Sequence, residues 1–310
     1  MNHLDLFSGI GGFSLGLQQA GIEPDWIGYS DIDKYANQVF KRRFPNAEEL
    51  GSITTINTEG LPDIDLVTFG FPCQDLSMAG KRGGLNASRS GLFFKALEII
   101  ADKKPTYFVF ENVRGLLSSN KGEDFKIVLQ SVSDIGYDGQ WQLLNTRWFL
   151  PQNRERVYFV GHIRGECRPQ VFPIGEDDDI FKPKIREEGG ESASVQTAHS
   201  RTITSRIHKM GSDDTYIKVH STHPRSGDPT KGGTGPLSKE DGTTYCLDTG
   251  NAQAVQIKSG IRRFTPLECE RLQGFPDNWT EGHSDTQRYK QCGNAVTVPV
   301  VEEIMRRLYA

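Results

Sequence analysis

The sequence predicts an α/β protein built on a doubly wound, mostly parallel sheet, with a second, smaller and irregular β-rich domain late in the chain. Short apolar runs at residues 4–7, 26–29, 66–69, 107–110 and 157–160 read as strands, and helical patterns lie between them at 34–44, 92–101 and 123–135. Near-continuous hydrophobic strands separated by helices belong to a parallel sheet covered on both faces, whose ligands sit at the carboxyl ends of the strands. From about residue 167 to 260 the composition turns to Gly, Ser, Thr, Asp and His, with few apolar runs. A linker of that length inside a compact protein is uncommon, so the stretch is expected to form a small β-rich module.

The composition excludes several classes. With 36% hydrophobic and 25% charged residues over 310 positions, the chain is ordinary for a globular protein. Its five cysteines, Cys73, Cys167, Cys246, Cys269 and Cys292, are odd in number and contain no C-x-x-C pair, which argues against a disulfide framework or a four-cysteine zinc site. His220-x-x-His223 with Cys246 lacks a fourth ligand, and no metal is expected. No window approaches the roughly 18 consecutive apolar residues of a spanning helix, and no basic flank precedes an apolar run at the amino terminus. Neither export nor membrane anchoring is expected. The formal charge of -4 does not exclude a nucleic-acid partner, because a local basic cleft releases counterions whatever the remaining surface carries.

The elements justify themselves in chain order. Asp5-Leu6-Phe7-Ser8-Gly9-Ile10-Gly11-Gly12-Phe13 follows the first strand and opens a helix, so its glycines can turn tightly against a ligand. Such a turn suits a dinucleotide enzyme, a methyltransferase or a merely structural bend. Asp31, after the second strand, can accept from ribose hydroxyls, while Asp33 can cap the following helix. Pro72 and Cys73 stand where the strand 66–69 leaves the sheet, trailed by Ser77, Lys81, Arg82 and Arg89. A lone cysteine is often only a small hydrophobe, but nearby cations favour the reactive thiolate. Glu111 ends another strand, and would share a cleft with Cys73 if the two strands are neighbours. In Gln152-Asn153-Arg154-Glu155-Arg156-Val157, also placed at the sheet, one arginine is expected to face the cleft and the other the neighbourhood of Glu155 or a phosphate. Thr265-Pro266-Leu267-Glu268 forms a capping box for a helix running to about Gln273, and the final segment VPVVEEIMRRLYA reads as a closing helix.

The ordered blocks DLFSGIGGF, GFPCQ, ENV, QNRERV, RRFTPLECERLQGFPD and QCGNAV resemble the signature series of the DNA (cytosine-5) methyltransferases of prokaryotic or phage type. They span nearly the whole chain in family order, leaving unmatched only about 167–260, where the family carries its target-recognition region. The resemblance implies the S-adenosylmethionine-dependent methyltransferase fold, with a discontinuous larger domain of residues 1–165 plus 285–310 and a smaller one of 166–284. It implies S-adenosyl-L-methionine as cofactor, double-stranded DNA as substrate, a monomer in the cytoplasm of a bacterial or phage-infected cell, and a separately acting restriction endonuclease as a possible companion.

Residue by residue, the resemblance implies a cofactor loop at Phe7, Gly9, Ile10, Gly11 and Gly12. Asp31 would take the ribose and Ile32 would pack on adenine, with Pro72, Asn294 and Val296 completing the pocket. Ser52 stands where family members often carry an acid for the adenine amino group, and Ile53 beside it can pack on the ring. Cys73 is the implied nucleophile, Glu111 the acid at cytosine N3, Arg156 the holder of O2, and Arg154 an assistant to loop or backbone. A raised carboxylate pKa would suit Glu111. The target base must leave the stack, with residues 77–90 closing over it. DNA contacts are expected at Ser77, Lys81 and Arg89, and at Arg201, Arg206 and Lys209 within the basic run of the smaller domain. Three other readings compete. A catalytically silent DNA-binding module would not need Cys73, Glu111 and Arg156 together. The tRNA-methylating branch of the family generally has a compact recognition region, and a nicotinamide oxidoreductase rests on the glycine turn alone.

Overall fold

The computed structural model describes residues 1–72, 91–166, 169–175, 219–221, 238–239, 242–250, 253–257 and 260–310. The chain divides into two compact units, the first comprising Met1–Leu144, Glu155–Pro173 and Ala295–Ala310, the second Asn145–Arg154 and Ile174–Asn294. This division departs from the expected one in three places, at residues 145–154, 166–173 and 285–294, the last of which go with the second unit. Residues 145–154 go with the second unit because Asn153 donates its backbone N–H to the Thr244 carbonyl at 2.9 Å and Gln152 Nε2 donates to the Leu272 carbonyl at 2.7 Å. Residues 169–173 go with the first, where Gln140 Nε2 donates to the Pro169 carbonyl at 2.8 Å and Arg307 Nη1 to that of Pro173 at 2.7 Å.

In the first unit, β1 (Asn2–Leu6), β2 (Trp26–Ser30), β3 (Glu48–Glu49), β4 (Leu66–Gly70), β5 (Tyr107–Val113), β6 (Tyr137–Asn145) and β7 (Glu155–Ile163) are the described strands. They form one sheet in the order β3-β2-β1-β4-β5-β7-β6. β1 pairs in parallel with β2 and β4, and β4 in parallel with β5, whereas β7 runs antiparallel to β5. The sheet is thus mostly parallel, as expected. Chain order reverses between β1 and β4, which opens a crevice at their carboxyl ends. The helices of this unit are α1 (Gly12–Gln19), α2 (Lys34–Arg43), α3 (Leu92–Lys103) and α4 (Glu123–Asp134), together with the carboxyl-terminal helix Val298–Leu308.

The core is a stack of phenylalanine rings contributed by neighbouring strands. Phe110 of β5 lies parallel to Phe159 of β7 with centroids 4.9 Å apart, and Phe108 faces the same ring at 5.8 Å. Phe71 and Phe93 of α3 close one side at 4.7 Å. Burying each such ring contributes roughly 1.5–3 kcal/mol. Two close approaches depend on missing side chains. A Cβ on Gly161 would stand 2.2 Å from the Phe108 ring, and one on Gly16 of α1 would stand 2.6 Å from Val301 of the last helix.

In the second unit, β8 (Val219–Ser221), β9 (Ser238–Lys239), β10 (Gln253–Ile257) and β11 (Gly260–Arg263) form an antiparallel sheet in the order β11-β10-β8-β9 among the described residues. α5 (Pro266–Gln273) starts on the expected capping box: Thr265 Oγ1 accepts from the Glu268 N–H, and Glu268 accepts from the Thr265 N–H at 2.8 Å. α6 (Asp285–Asn294) was not expected, since its polar sequence buries few residues; Cys292 joins Cys269, Leu272, Leu247 and Phe264 in a small core. The closing helix, α7 (Val298–Leu308), buries Val300, Val301, Ile304 and Met305.

Gly161→Ala must push the Phe108 ring out of the stack. It is expected to cost about 1–3 kcal/mol of stability, read as a lower urea midpoint with unchanged slope. A midpoint equal to that of the wild type would show that the ring stack yields freely.

Candidate active site

The chain leaves β1 through a turn in which Phe7, Gly9 and Gly11 take φ values of 52°, 53° and 85°, in the left-handed region where glycine is favoured. Gly11 needs to be glycine on a second count, because a Cβ there would meet Phe44 at 2.5 Å. A Cβ on Gly9 would meet nothing within 4 Å, so that side of the turn is open. Ile10 and Gly12 are buried. The end of β2 stands against the turn: Ser8 N–H donates to the Ser30 carbonyl at 3.1 Å and Gly9 N–H to Asp31 Oδ2 at 2.9 Å. Asp31 Oδ1 accepts from the Asp33 N–H at 2.8 Å, and Asp33 in turn caps α2 by accepting from the Tyr35 N–H at 2.9 Å.

Beside this carboxylate, Ile32 is 84% exposed, far more than the other exposed large hydrophobic side chains of the described residues. An open glycine turn at a helix start, an acid and an uncovered apolar side chain fit a nucleoside with a charged tail. Ser52 and Ile53 behave differently. Ser52 Oγ accepts from the Thr54 N–H and meets Thr54 Oγ1 at 2.9 Å, while Ile53 is buried in the core of the sheet. Val296 is buried in the first unit, and Asn294 is exposed at the end of α6 in the second.

On the other side of the crevice, the register sets Gly70 of β4 against Glu111 of β5. A Cβ on Gly70 would lie 3.8 Å from Glu111 Oε2, an ordinary contact, so the carboxylate lies beside this position without crowding it. Because β7 runs antiparallel, its first residues lie at the carboxyl end of β5, and Arg156 pairs in register with Val113. Arg156 Nε then meets Glu111 Oε1 at 2.8 Å, in an ion pair whose side chains are only 15% and 12% exposed. Removing one partner of such a pair strands a charge in a poorly solvated place.

Asn112, which the motif reading did not single out, ties this corner together. Its Nδ2 donates to the Phe71 carbonyl at 2.8 Å and its Oδ1 accepts from the Val113 N–H at 2.9 Å. It thereby fixes Phe71-Pro72, the last described residues before Cys73. Its sequence signal is its place in the ENV block, next to Glu111. Cys73, Ser77, Lys81, Arg89, Arg201, Arg206 and Lys209 lie outside the described residues.

Arg154 precedes β7 and belongs to the second unit. Its guanidinium is buried, donating through Nη1 to the Gly293 carbonyl at 3.2 Å and to Cys246 Sγ at 3.4 Å. The carboxylate of Glu155 pairs with Arg114 at 2.6 Å. Among the described residues, no group of three or more His, Cys, Asp or Glu could hold a metal ion, and no helix is long and apolar enough to cross a membrane.

Comparison with known proteins agrees with the motif series. A family model described as C-5 cytosine-specific DNA methylase matches residues 1–310. The Type II methyltransferase M1.ScrFI of Lactococcus lactis subsp. cremoris is 35% identical over 98% of this chain and 77% of its own length. M.NlaX of Neisseria lactamica, also a Type II methyltransferase, is 33% identical over 99% of this chain and 96% of its own. Among solved structures, a DNMT2 variant of Spodoptera frugiperda superposes with a TM-score of 0.65 at 19% identity, covering 100% of this chain and 99% of that one. The Dnmt2 methyltransferase of S. pombe gives 0.64 at 20% identity, covering 99% and 98%. At such identities the superpositions speak for the fold alone.

Asn112→Asp keeps the size and the acceptor but, once ionised, cannot donate to the Phe71 carbonyl. It is expected to cost about 1–3 kcal/mol in denaturant unfolding, the penalty of an unsatisfied buried group. A variant as stable as the wild type would show that the Phe71-Pro72 turn holds without it.

Proposed function

The chain belongs to the C-5 cytosine-specific DNA methylase family, and on that premise we propose that it methylates C5 of a flipped-out cytosine within a specific double-stranded DNA sequence, through a covalent bond from Cys73 to C6. That it is a DNA (cytosine-5) methyltransferase follows from the family and its relatives. The covalent route, the extruded base and the residue roles are the proposal.

Cytosine C5 is a poor nucleophile. Adding a thiolate to C6 pushes the ring electrons toward C5 and N3, and sulfur is readily expelled afterwards. Glu111 in its protonated form gives its proton to N3 while accepting from the exocyclic amino group, and Arg156, which holds O2, pairs with the carboxylate left behind. S-adenosyl-L-methionine, when bound, supplies an electrophilic methyl group on a sulfonium. Phe7, Gly9, Ile10, Gly11 and Gly12 would cradle its charged tail, Asp31 would accept from its ribose, and Ile32 would cover its adenine. Once C5 carries the methyl group, a water molecule takes the C5 proton, that electron pair restores the C5–C6 double bond, Cys73 leaves as thiolate, and N3 returns its proton to Glu111.

The observation that carries this reading is the 2.8 Å contact between Glu111 and Arg156 at the end of the strand beside β4, the strand that runs to Cys73. An acid and a cation held together with little water can serve a base that gains charge as it is attacked. A base inside a duplex cannot reach them, so extrusion is part of the proposal, at a cost of a few kcal/mol. Residues 167–260 are proposed to read the sequence. The Type II names of the relatives suggest a restriction endonuclease as an independent companion.

Bisulfite sequencing of DNA from cells expressing the chain tests this directly. One sequence context should become protected, and Cys73→Ala should abolish the protection. In vitro, Glu111→Gln should lower kcat by about 100-fold or more while DNA affinity changes little, since its contribution grows as charge develops. Protection surviving in Cys73→Ala, or a Glu111→Gln defect confined to DNA binding, would overturn these roles.

A further inference from the structure

Beneath the glycine turn lies a run of buried polar groups that no step of the proposed reaction uses. His3 and Asp5 stand two residues apart on β1, and the register sets Asp5 against Thr68 of β4. Thr68 Oγ1 donates to Asp5 Oδ1 at 3.0 Å, and Ser14 Oγ of α1 donates to Asp5 Oδ2 at 2.7 Å. His3 Nε2 meets Thr68 Oγ1 at 2.8 Å. Since that hydroxyl has given its hydrogen to Asp5, the imidazole is the donor. His3, Asp5 and Thr68 are wholly buried and Ser14 almost so.

A carboxylate buried with no cation beside it, held by two hydroxyls and the Ser14 N–H, is a costly choice for a central parallel strand, where valine or leucine packs with less penalty. What the network provides is direction and position, because each hydroxyl fits one way round. Asp5 precedes the turn, and Ser14 is the third residue of the helix that follows it. One carboxylate therefore clasps both ends of the turn, and its other oxygen holds the strand that leads toward Phe71-Pro72. Phe7, a non-glycine residue at a φ of 52°, marks the turn as a conformation that persists only where its surroundings over-determine it.

We propose that Asp5 is a positioning residue for the methyl donor: by fastening the strand that enters the glycine turn to the helix that leaves it and to β4, it sets cofactor affinity without touching the cofactor. The inference rests on the proposed use of S-adenosylmethionine. Loosening the clasp lets the turn populate shapes that do not bind, and the apparent Kd rises by the inverse of the competent fraction.

The clasp also has a signature in pH. Burial pushes the Asp5 carboxyl up to about 7 against the pull of the Ser14 and Thr68 hydroxyls, and the neighbouring Asp31 adds to the rise. Burial alone pushes His3 down to about 3, so it stays neutral. The groups facing Asp5 are thus neutral His3 from β1, the Ser14 hydroxyl and N–H from α1, the Thr68 hydroxyl from β4, and Asp31 beyond β2. Protonation turns one carboxylate oxygen from acceptor to donor, so the hydroxyl bonded to it must reverse its role, and charge-assisted bonds give way to weaker neutral ones. The gripping form is the ionised one, present above about pH 7 and lost as pH falls through it, and a cationic sulfonium favours that same form.

The test is calorimetric titration of the full chain with S-adenosylmethionine at about pH 6 and about pH 8, for wild type, Asp5→Asn, Ser14→Ala and Thr68→Val. Wild-type Kd should be about tenfold weaker at the lower pH, and Asp5→Asn should bind about tenfold more weakly at the higher pH, with the difference between the two pH values largely gone. Ser14→Ala and Thr68→Val should raise the cofactor KM while kcat at saturating cofactor holds, and they carry the test if Asp5→Asn fails to fold. Titration of the cofactor's own amino group is common to all four proteins and cancels in the comparison. Variants that keep wild-type affinity and pH dependence, or that lose kcat in step with melting temperature, would overturn the inference alone. A wild type that binds no S-adenosylmethionine would overturn the cofactor reading and this inference with it.

Discussion

The antiparallel pairing of β7 with β5 is the constraint on which the site depends. In a wholly parallel sheet every strand would present its last residues to the crevice, and an arginine at the start of a strand would lie at the far edge. Reversing one strand brings Arg156 to the end of β5, within 2.8 Å of Glu111. The ion pair then limits what the neighbouring turn can do, because Gly70 lies against the same carboxylate and Asn112 holds the Phe71 carbonyl from the next position along. The phenylalanine stack below gives these polar groups a floor that cannot relax without opening a void.

The two sides of the crevice are built by opposite means. On the side of the glycine turn, backbone N–H groups and left-handed residues shape a bend that offers few side chains of its own, with the Asp5 hydrogen bonds beneath it. On the Glu111 side, charged side chains stand at the strand ends and are held by strand register. The buried run from His3 to Ser14 joins the two sides through β1 and β4, the strands at which the chain order reverses.

Much of this was legible in the residues. The glycine turn, the acid after the second strand, the Asp33 cap and the Thr265 capping box are local signals, each with its own backbone mechanism, and they stand where their spacing put them. Long-range consequences were not legible. β6 has a weak alternation broken by Gly139, whose missing side chain makes room for Phe159 of another strand. α6 is polar along most of its length and gains its place from Cys292 and from hydrogen bonds such as that of Tyr289 with the Phe264 carbonyl. The run Gln152 to Arg154 reads as part of a strand, but its buried side chains bond to residues about a hundred positions away, and that partnership moves the domain boundary. Thr68 and Ser14 carry no motif at all; only the register reveals that they share a carboxylate.

If Cys73 is bonded to C6 when the C5 proton is removed, replacing that proton by fluorine should trap the enzyme on its DNA, because elimination can no longer follow methyl transfer. The decisive measurement is denaturing electrophoresis of the protein with 5-fluorocytosine DNA containing its target, with and without S-adenosylmethionine. The account predicts a stable adduct that forms efficiently only with cofactor and not at all with Cys73→Ala. Wild-type protein that methylates the ordinary target yet leaves no adduct on the fluorinated one would contradict it.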